Sequence, residues 1–353
     1  MTSIHFYKLA LLSLVVVACT INLGSVSRLL GQQPAAPAPE QVEPSQGDPS
    51  QAAAEQAVKA LIEALKDDAA EVRQTSAISL GRMGDAARSA VPALGEALKD
   101  ADVDVRGAAA VTLGLIGASA APAVPALIEL LKDDDRDVRG AAALALARIG
   151  KPAQGAVAPL DELAKDDDRF LQIYARCALA ALSDDAEPHV DVLRSLTGDD
   201  AADVRSAAIQ ALAELGPRAK DAVPQLAAAL DDKHVEIREA ALTALAEIGL
   251  ASEQAVAAAA GALEDQDAGI RSLAAMVLAE FGPDAADAVP ALIAASQDDD
   301  VEVRGAAVYA LGEVGAAARV AVGRLAQALK DSDADVRQAA ALALGKIESA
   351  DAE

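Results

Sequence analysis

Apolar and polar positions along this 353-residue chain recur on a fixed beat of 33 residues. Leucine marks it, at Leu80, Leu113, Leu146, Leu179, Leu212, Leu245, Leu278, Leu311 and Leu344. Seven residues before each leucine lies a polar slot, filled by Arg73, Arg106, Arg139, Arg205, Arg238, Arg271, Arg304 and Arg337, with Gln172 in the fourth unit. Residues one before the slot and three, seven and ten after it are apolar, the spacing that lines one face of an α-helix. Glycine follows that stripe at Gly84, Gly117, Gly150, Gly216, Gly249, Gly282 and Gly315, which predicts a left-handed C-terminal cap; Ser183 replaces it in the fourth unit.

A second, shorter stripe precedes each slot. In Ala123 to Leu131, Leu127, Ile128, Leu130 and Leu131 supply apolar surface and Pro125 suits a first turn, a placement repeated by Pro92, Pro224 and Pro290. Between the stripes runs an acidic turn such as Lys132-Asp133-Asp134-Asp135-Arg136-Asp137, whose carboxylates favour the positive end of the following helix. Each unit is thus predicted to be a helical hairpin, and no alternating run argues for a strand. The predicted fold class is all-α: an α-solenoid of about nine 33-residue hairpins, each stacked on its neighbours.

Ankyrin repeats share this period, but no unit carries a Thr-Pro-Leu-His signature. The units read approximately A-V-P-x-L-x-x-x-L-x-D-x-D-x-x-V-R-x-A-A-x-x-A-L-x-x-I-G, well matched by residues 123–150. Over roughly residues 55–347 this resembles the short HEAT-like repeats first associated with phycobilisome lyases. The resemblance implies a HEAT-like superhelix. It also implies a scaffold shared by bilin lyases, metal-dependent hydroxylases, DNA-repair proteins and adaptors, so it transfers architecture rather than activity. Bilin lyase chemistry is the enzymatic alternative, and no residue here can be assigned to it.

Hydrophobic residues make up 53% of the chain and aromatics only 2%, so alanine and leucine must provide the helix packing. Lys8 followed by the apolar run from Leu9 to about Gly24 predicts a signal peptide or membrane anchor over residues 1–30. Within it, Val16-Val17-Ala18-Cys19 resembles a bacterial lipobox and makes Cys19 a lipidation candidate, while Ser25-Val26-Ser27 offers ordinary cleavage. Pro34, Pro37, Pro39, Pro44 and Pro49 mark residues 31–53 as a disordered spacer before a solenoid over 54–348 and a tail over 349–353. Export to a bacterial periplasm or envelope is the expected localisation, with membrane contact only through the N-terminal segment.

A net charge of −25 disfavours nucleic acid, whose phosphates need clustered Lys and Arg, and favours a protein partner of basic character. The repeated arginines, with an acid two residues earlier in most units, are expected to form an Asp/Arg ladder between hairpins. Nine places after the slot stand Arg82, Leu115, Arg148, Ala181, Glu214, Glu247, Glu280, Glu313 and Lys346. The four glutamates form a candidate partner-binding strip, bordered by Met276 and Tyr309, which are expected to point outward. Glutamate near a helix C-terminus opposes the macrodipole, so propensity does not account for the row. The fourth unit, with Phe170, Tyr174 and Arg176 in an altered run and Asp184 to His189 in place of a glycine turn, is a second candidate. Three histidines without metal-type spacing, no phosphate-binding loop and no nucleophile elbow argue against catalysis and against a cofactor. The expected function is a noncatalytic, exported interaction scaffold or adaptor.

Overall fold

The computed structural model describes residues 49–349. The expectations for residues 1–30, Cys19, most of the spacer and the last residues of the tail concern positions outside that range.

Among the described residues the chain is helical, with no strand. The second helices of the nine units span Ala70–Arg82, Val103–Ile116, Arg136–Ile149, Arg169–Leu182, Ala202–Leu215, Val235–Ile248, Ala268–Phe281, Val301–Val314 and Ala334–Ser349. The first helices are shorter from unit two onward, as in Val91–Ala97, Val124–Leu130 and Val223–Ala229. In unit one the first helix spans Pro49–Ala64 and so begins inside the segment read from sequence as spacer. Asp102, Asp135, Asp168, Asp267 and Asp300 cap second helices, each accepting two backbone N–H bonds from the first turn.

The glycine turns differ from expectation in a consistent way. All seven glycines have positive φ, and Gly249 is in the left-handed helical region, with φ 65° and ψ 18°. Gly117, Gly150, Gly216, Gly282 and Gly315 combine φ of 54–72° with ψ of −131 to −142°, a region open only to a residue without Cβ. That geometry feeds a short 3-10 segment leading into the next first helix, as in Gly117–Ala123 and Gly282–Ala288. Where the turn residue is the extended Ser183 or the left-handed Gly249, the 3-10 segment is absent and a ten-residue α-helix, Glu187–Leu196 or Glu253–Ala262, takes its place.

The core runs along the stack. The recurrent leucines from Leu80 to Leu311 are buried, and second helices approach closely through small residues. A Cβ added at Gly114 would lie 3.0 Å from Ala145 Cα, and one at Gly312 would lie 2.8 Å from Ala343 Cα. The core divides into two clusters that share the second helix of unit four as a party wall. Leu171, Ala175, Ala178, Leu179 and Leu182 belong to the N-terminal cluster, while Ile173, Cys177 and Ala180 belong to the C-terminal one.

Candidate functional site

The arginine slot builds a ladder, though its partner is not the acid two residues earlier. Arg73, Arg106, Arg205, Arg238, Arg271 and Arg304 each grip the aspartate 27 residues ahead, in the turn of the next unit: Asp100, Asp133, Asp232, Asp265, Asp298 and Asp331. Each rung is bidentate, with Nε on one carboxylate oxygen and Nη2 on the other, as in Arg271 to Asp298 at 2.8 and 2.8 Å. Nη1 turns back to backbone carbonyls of its own unit's turn, here Asp265 and Gln266 at 2.9 and 3.3 Å. Two of the eight arginines depart from this. Among the described residues Arg139 and Arg337 keep only the carbonyl bonds, to Asp133 and Asp134 and to Asp331 and Ser332.

The hydrogen bonds from Arg271 hold the Asp298 carboxyl below its ordinary range despite burial. Asp331 is brought down to about 2 by Arg304 and the Asp333 N–H. These groups are occupied in holding hairpins together.

The glutamate row divides in two. Glu214 is taken by Arg148, two units away in sequence, through Nε–Oε1 and Nη2–Oε2 contacts of 2.6 and 2.7 Å that pass over Ala181. Straight stacking at roughly 8–10 Å per helix would separate these backbones by about 16–20 Å, whereas the two side chains and their bond reach on the order of 14–15 Å. The second-helix layer is therefore concave at unit four. At the other end Glu313 pairs with Lys346, whose ammonium lies 5.5 Å from the Tyr309 ring centre. Glu247 and Glu280 carry no ion pair among the described residues. Burial and the Glu247 carboxylate raise the Glu280 carboxyl above its ordinary value.

Met276 and Tyr309 do not point freely outward. Both are half-buried and pack against the core, and the Tyr309 hydroxyl is pushed up to about 12 by burial and by its bond to Glu313. The apolar border of the strip is thus flatter than the sequence suggested.

Unit four compensates its own irregularities. Gln172 replaces the arginine and reaches only the Asp166 carbonyl, at 2.7 Å. Arg136 and Arg169, three places before the slot, bridge instead to Asp168 and Asp199. Without a glycine turn, the last carbonyls of Arg169–Leu182 and the Ser183 carbonyl are met by Arg218 from the next unit, at 2.5–2.9 Å, which places a cation at the negative helix end. Arg176 lies 3.3 Å from His189 Nδ1, and burial together with that guanidinium lowers the imidazole pKa. Phe170 is half-buried against the core. Tyr174 fills a position that is alanine in most units, and Gly140 makes room for it: a Cβ there would meet the ring at 2.7 Å.

Tyr174, Val111, Leu144, Gln210, Arg148 and Glu214 line a cleft of about 60 Å³. That is space for a water molecule or two, and Arg148 and Glu214 also border an open hollow of about 500 Å³ with Leu115, Ala147, Ala181 and Leu215. Cys177 is buried, and burial pushes its thiol up, leaving it little thiolate character. Among the described residues no group of three or more His, Cys, Asp or Glu side chains is placed to hold a metal ion.

Comparison with known proteins agrees with this architecture. A family model described as HEAT repeats matches residues 58–124, 91–180, 190–271 and 257–322, and a second, HEAT repeat, matches 322–349. No curated protein matches the chain. Similar solved structures include an engineered protein at 24% identity, covering 83% of this chain and 89% of that one with a TM-score of 0.46. They also include the Escherichia coli protein YibA at 18% identity, 87% and 99% coverage and a TM-score of 0.49. Human deoxyhypusine hydroxylase is similar at 24% identity, 85% and 98% coverage and a TM-score of 0.34.

Proposed function

Because this chain belongs to the HEAT-repeat family, we propose that it is a noncatalytic, exported interaction scaffold that captures a basic, amphipathic protein segment on the second-helix layer of units six and seven. The observation that carries this reading is the pair Glu247 and Glu280. Each sits in the last turn of a helix, where the macrodipole is negative, and neither is paired with a cation among the described residues. The Glu280 carboxyl is raised above its ordinary value by burial first and by the neighbouring Glu247 carboxylate after it. A Lys or Arg side chain placed between them would relieve all three unfavourable terms at once. Glu214 and Glu313, already neutralised by Arg148 and Lys346, bound the strip on either side.

Export rests on Lys8 and the apolar run after it, with Cys19 as the candidate lipid attachment point. A labelled, Lys/Arg-rich amphipathic peptide titrated into the protein is the direct test of the strip. Reversing both Glu247 and Glu280 to Lys should weaken binding by about tenfold or more, on the order of 1.4 kcal/mol. Equal binding by the reversed protein would remove the assignment. A Cys19→Ser chain that remains in the membrane fraction as fully as the parent would remove the lipid anchor.

A further inference from the structure

The bidentate ladder is interrupted at two consecutive junctions, both belonging to unit four. Rungs tie unit one to unit two and unit two to unit three, and then every junction from unit five to unit nine. One rung spacing ahead of Arg139 stands Asp166, but among the described residues Arg139 reaches only carbonyls, and Asp166 accepts the Asp168 N–H. The same spacing ahead of Gln172 leads to Asp199, and Gln172 turns its neutral amide to the Asp166 carbonyl instead. The pairs that stand in, Arg136 to Asp168 and Arg169 to Asp199, each use a half-exposed arginine. Unit four is thus joined to its neighbours without the shielded pair that joins the others.

The Arg148–Glu214 bridge spans those same two junctions. It has the bidentate geometry of a rung, at 2.6 and 2.7 Å, but lies at the other end of the second helices, since both residues stand in a last turn. Ala181, the smallest side chain of its row, leaves the path over unit four clear. A tie shorter than two straight helix spacings holds the stack bent at the unit whose own ladder is missing. Glu214 is also the first glutamate of the row that continues through Glu247 and Glu280, and both of its oxygens are taken. Arg148 therefore does from inside the molecule what an arginine of a partner would do from outside. The two side chains are 26% and 25% exposed, enough for a second guanidinium to approach the carboxylate.

We propose that Arg148 and Glu214 form an autoinhibitory latch. The latch holds unit four bent and withholds Glu214 from the glutamate strip. An arginine of a bound basic segment takes the Glu214 carboxylate, Arg148 is released, and the two halves of the stack open. Replacing one guanidinium by another keeps a bidentate pair on Glu214, whereas a lysine ammonium would supply only a point contact, so the latch selects arginine. The partner's part in this rests on the reading of Glu247 and Glu280 above; the latch itself does not.

Spin labels at Ala118→Cys and Ala316→Cys, exposed positions on either side of unit four, report the bend by pulsed dipolar spectroscopy in a full-length Cys19→Ser chain; Cys177 is buried. Arg148→Ala should lengthen the mean label distance by roughly 2–5 Å, the difference between straight stacking and the reach of the bridge. The exchanged chain Arg148→Glu, Glu214→Arg should restore the parent distance. An arginine-rich amphipathic peptide should move the parent toward the Arg148→Ala distance. It should also bind Arg148→Ala at least about threefold more tightly, because no internal guanidinium competes. Far-UV circular dichroism checks that the variants keep their helix content. An unchanged distance in Arg148→Ala, an exchanged chain that stays open, or equal peptide affinities for parent and Arg148→Ala would each overturn the proposal. Distances in peptide-free chains test the latch alone, so its failure is separate from that of the strip, which the Glu247→Lys, Glu280→Lys chain decides.

Discussion

Replacing Arg271 by alanine removes four hydrogen bonds and strands a carboxylate. The two bonds to Asp298 are bidentate and mostly shielded, with the side chains 18% and 14% exposed, and two more tie the arginine to its own turn. After substitution Asp298 keeps only the Asp300 N–H, at 2.8 Å. Removing one partner of a fully buried pair costs about 3–5 kcal/mol and an exposed pair about 0–1 kcal/mol. The remaining exposure places this rung between them, at roughly 2–3 kcal/mol. Arg139 supplies the internal control, because it makes the carbonyl bonds but no rung, so Arg139→Ala should cost only about 1 kcal/mol. In a stack where each unit touches only its neighbours, the loss should be local. Hydrogen exchange should show units eight and nine opening ahead of units five and six in Arg271→Ala, with a lowered urea midpoint. Equal losses for the two substitutions, or an Arg271→Ala protein with unchanged unfolding, would refute the ladder argument.

Two further outcomes follow from the same geometry. Asp331 and Asp232 both titrate near 2 when folded, against 3.8 for an ordinary aspartate; at Asp232 burial opposes the shift, and the bonds from Arg205 and His234 outweigh it. Depressed carboxyls add stability that is fully present above the unfolded value and lost as pH falls toward the folded one, so urea midpoints should decline between pH 4 and 2. A flat profile over that window would contradict the rungs. Gly312→Ala should destabilise by about 1–3 kcal/mol by forcing the last two second helices apart, since its Cβ would meet Ala343 backbone at 2.8 Å. Gly345→Ala, with nothing within 4 Å, should stabilise by up to about 1 kcal/mol; matched midpoints for the pair would contradict the close approach.

Much of this was legible in the sequence because a repeat states its rule many times. The recurrent leucine and the apolar stripe gave nine hairpins and their register. The rung partner was missed although its signal was present: aspartate recurs at Asp67, Asp100, Asp133 and onward to Asp331 on the same 33-residue beat. The 3-10 segments left a fainter trace in the alanines three places after the glycines, such as Ala87, Ala120 and Ala285, all fully buried. Glycine reveals that φ is free but not which ψ it takes, so the turn could not be read further. The Arg148–Glu214 bridge had no local signal, because it depends on how sharply the stack bends between units three and five.

Unit four then has a different mechanical character from the rest. Ladder rungs elsewhere are shielded, so added salt reaches them weakly. The substitutes at unit four, Arg136 to Asp168 and Arg169 to Asp199, place half-exposed guanidiniums in solvent, with side chains 50% and 56% accessible. Such pairs are screened within a Debye length of about 10 Å at 0.1 M salt and about 3 Å at 1 M. The two core clusters also meet on this helix. Raising salt from about 0.1 to 1 M should therefore speed hydrogen exchange in Arg169–Leu182 several-fold while leaving Ala268–Phe281 and Val301–Val314 nearly unchanged. Uniform acceleration along the array would mean that the bidentate rungs are as open to ions as the substitutes, and the distinction drawn from their burial would fail.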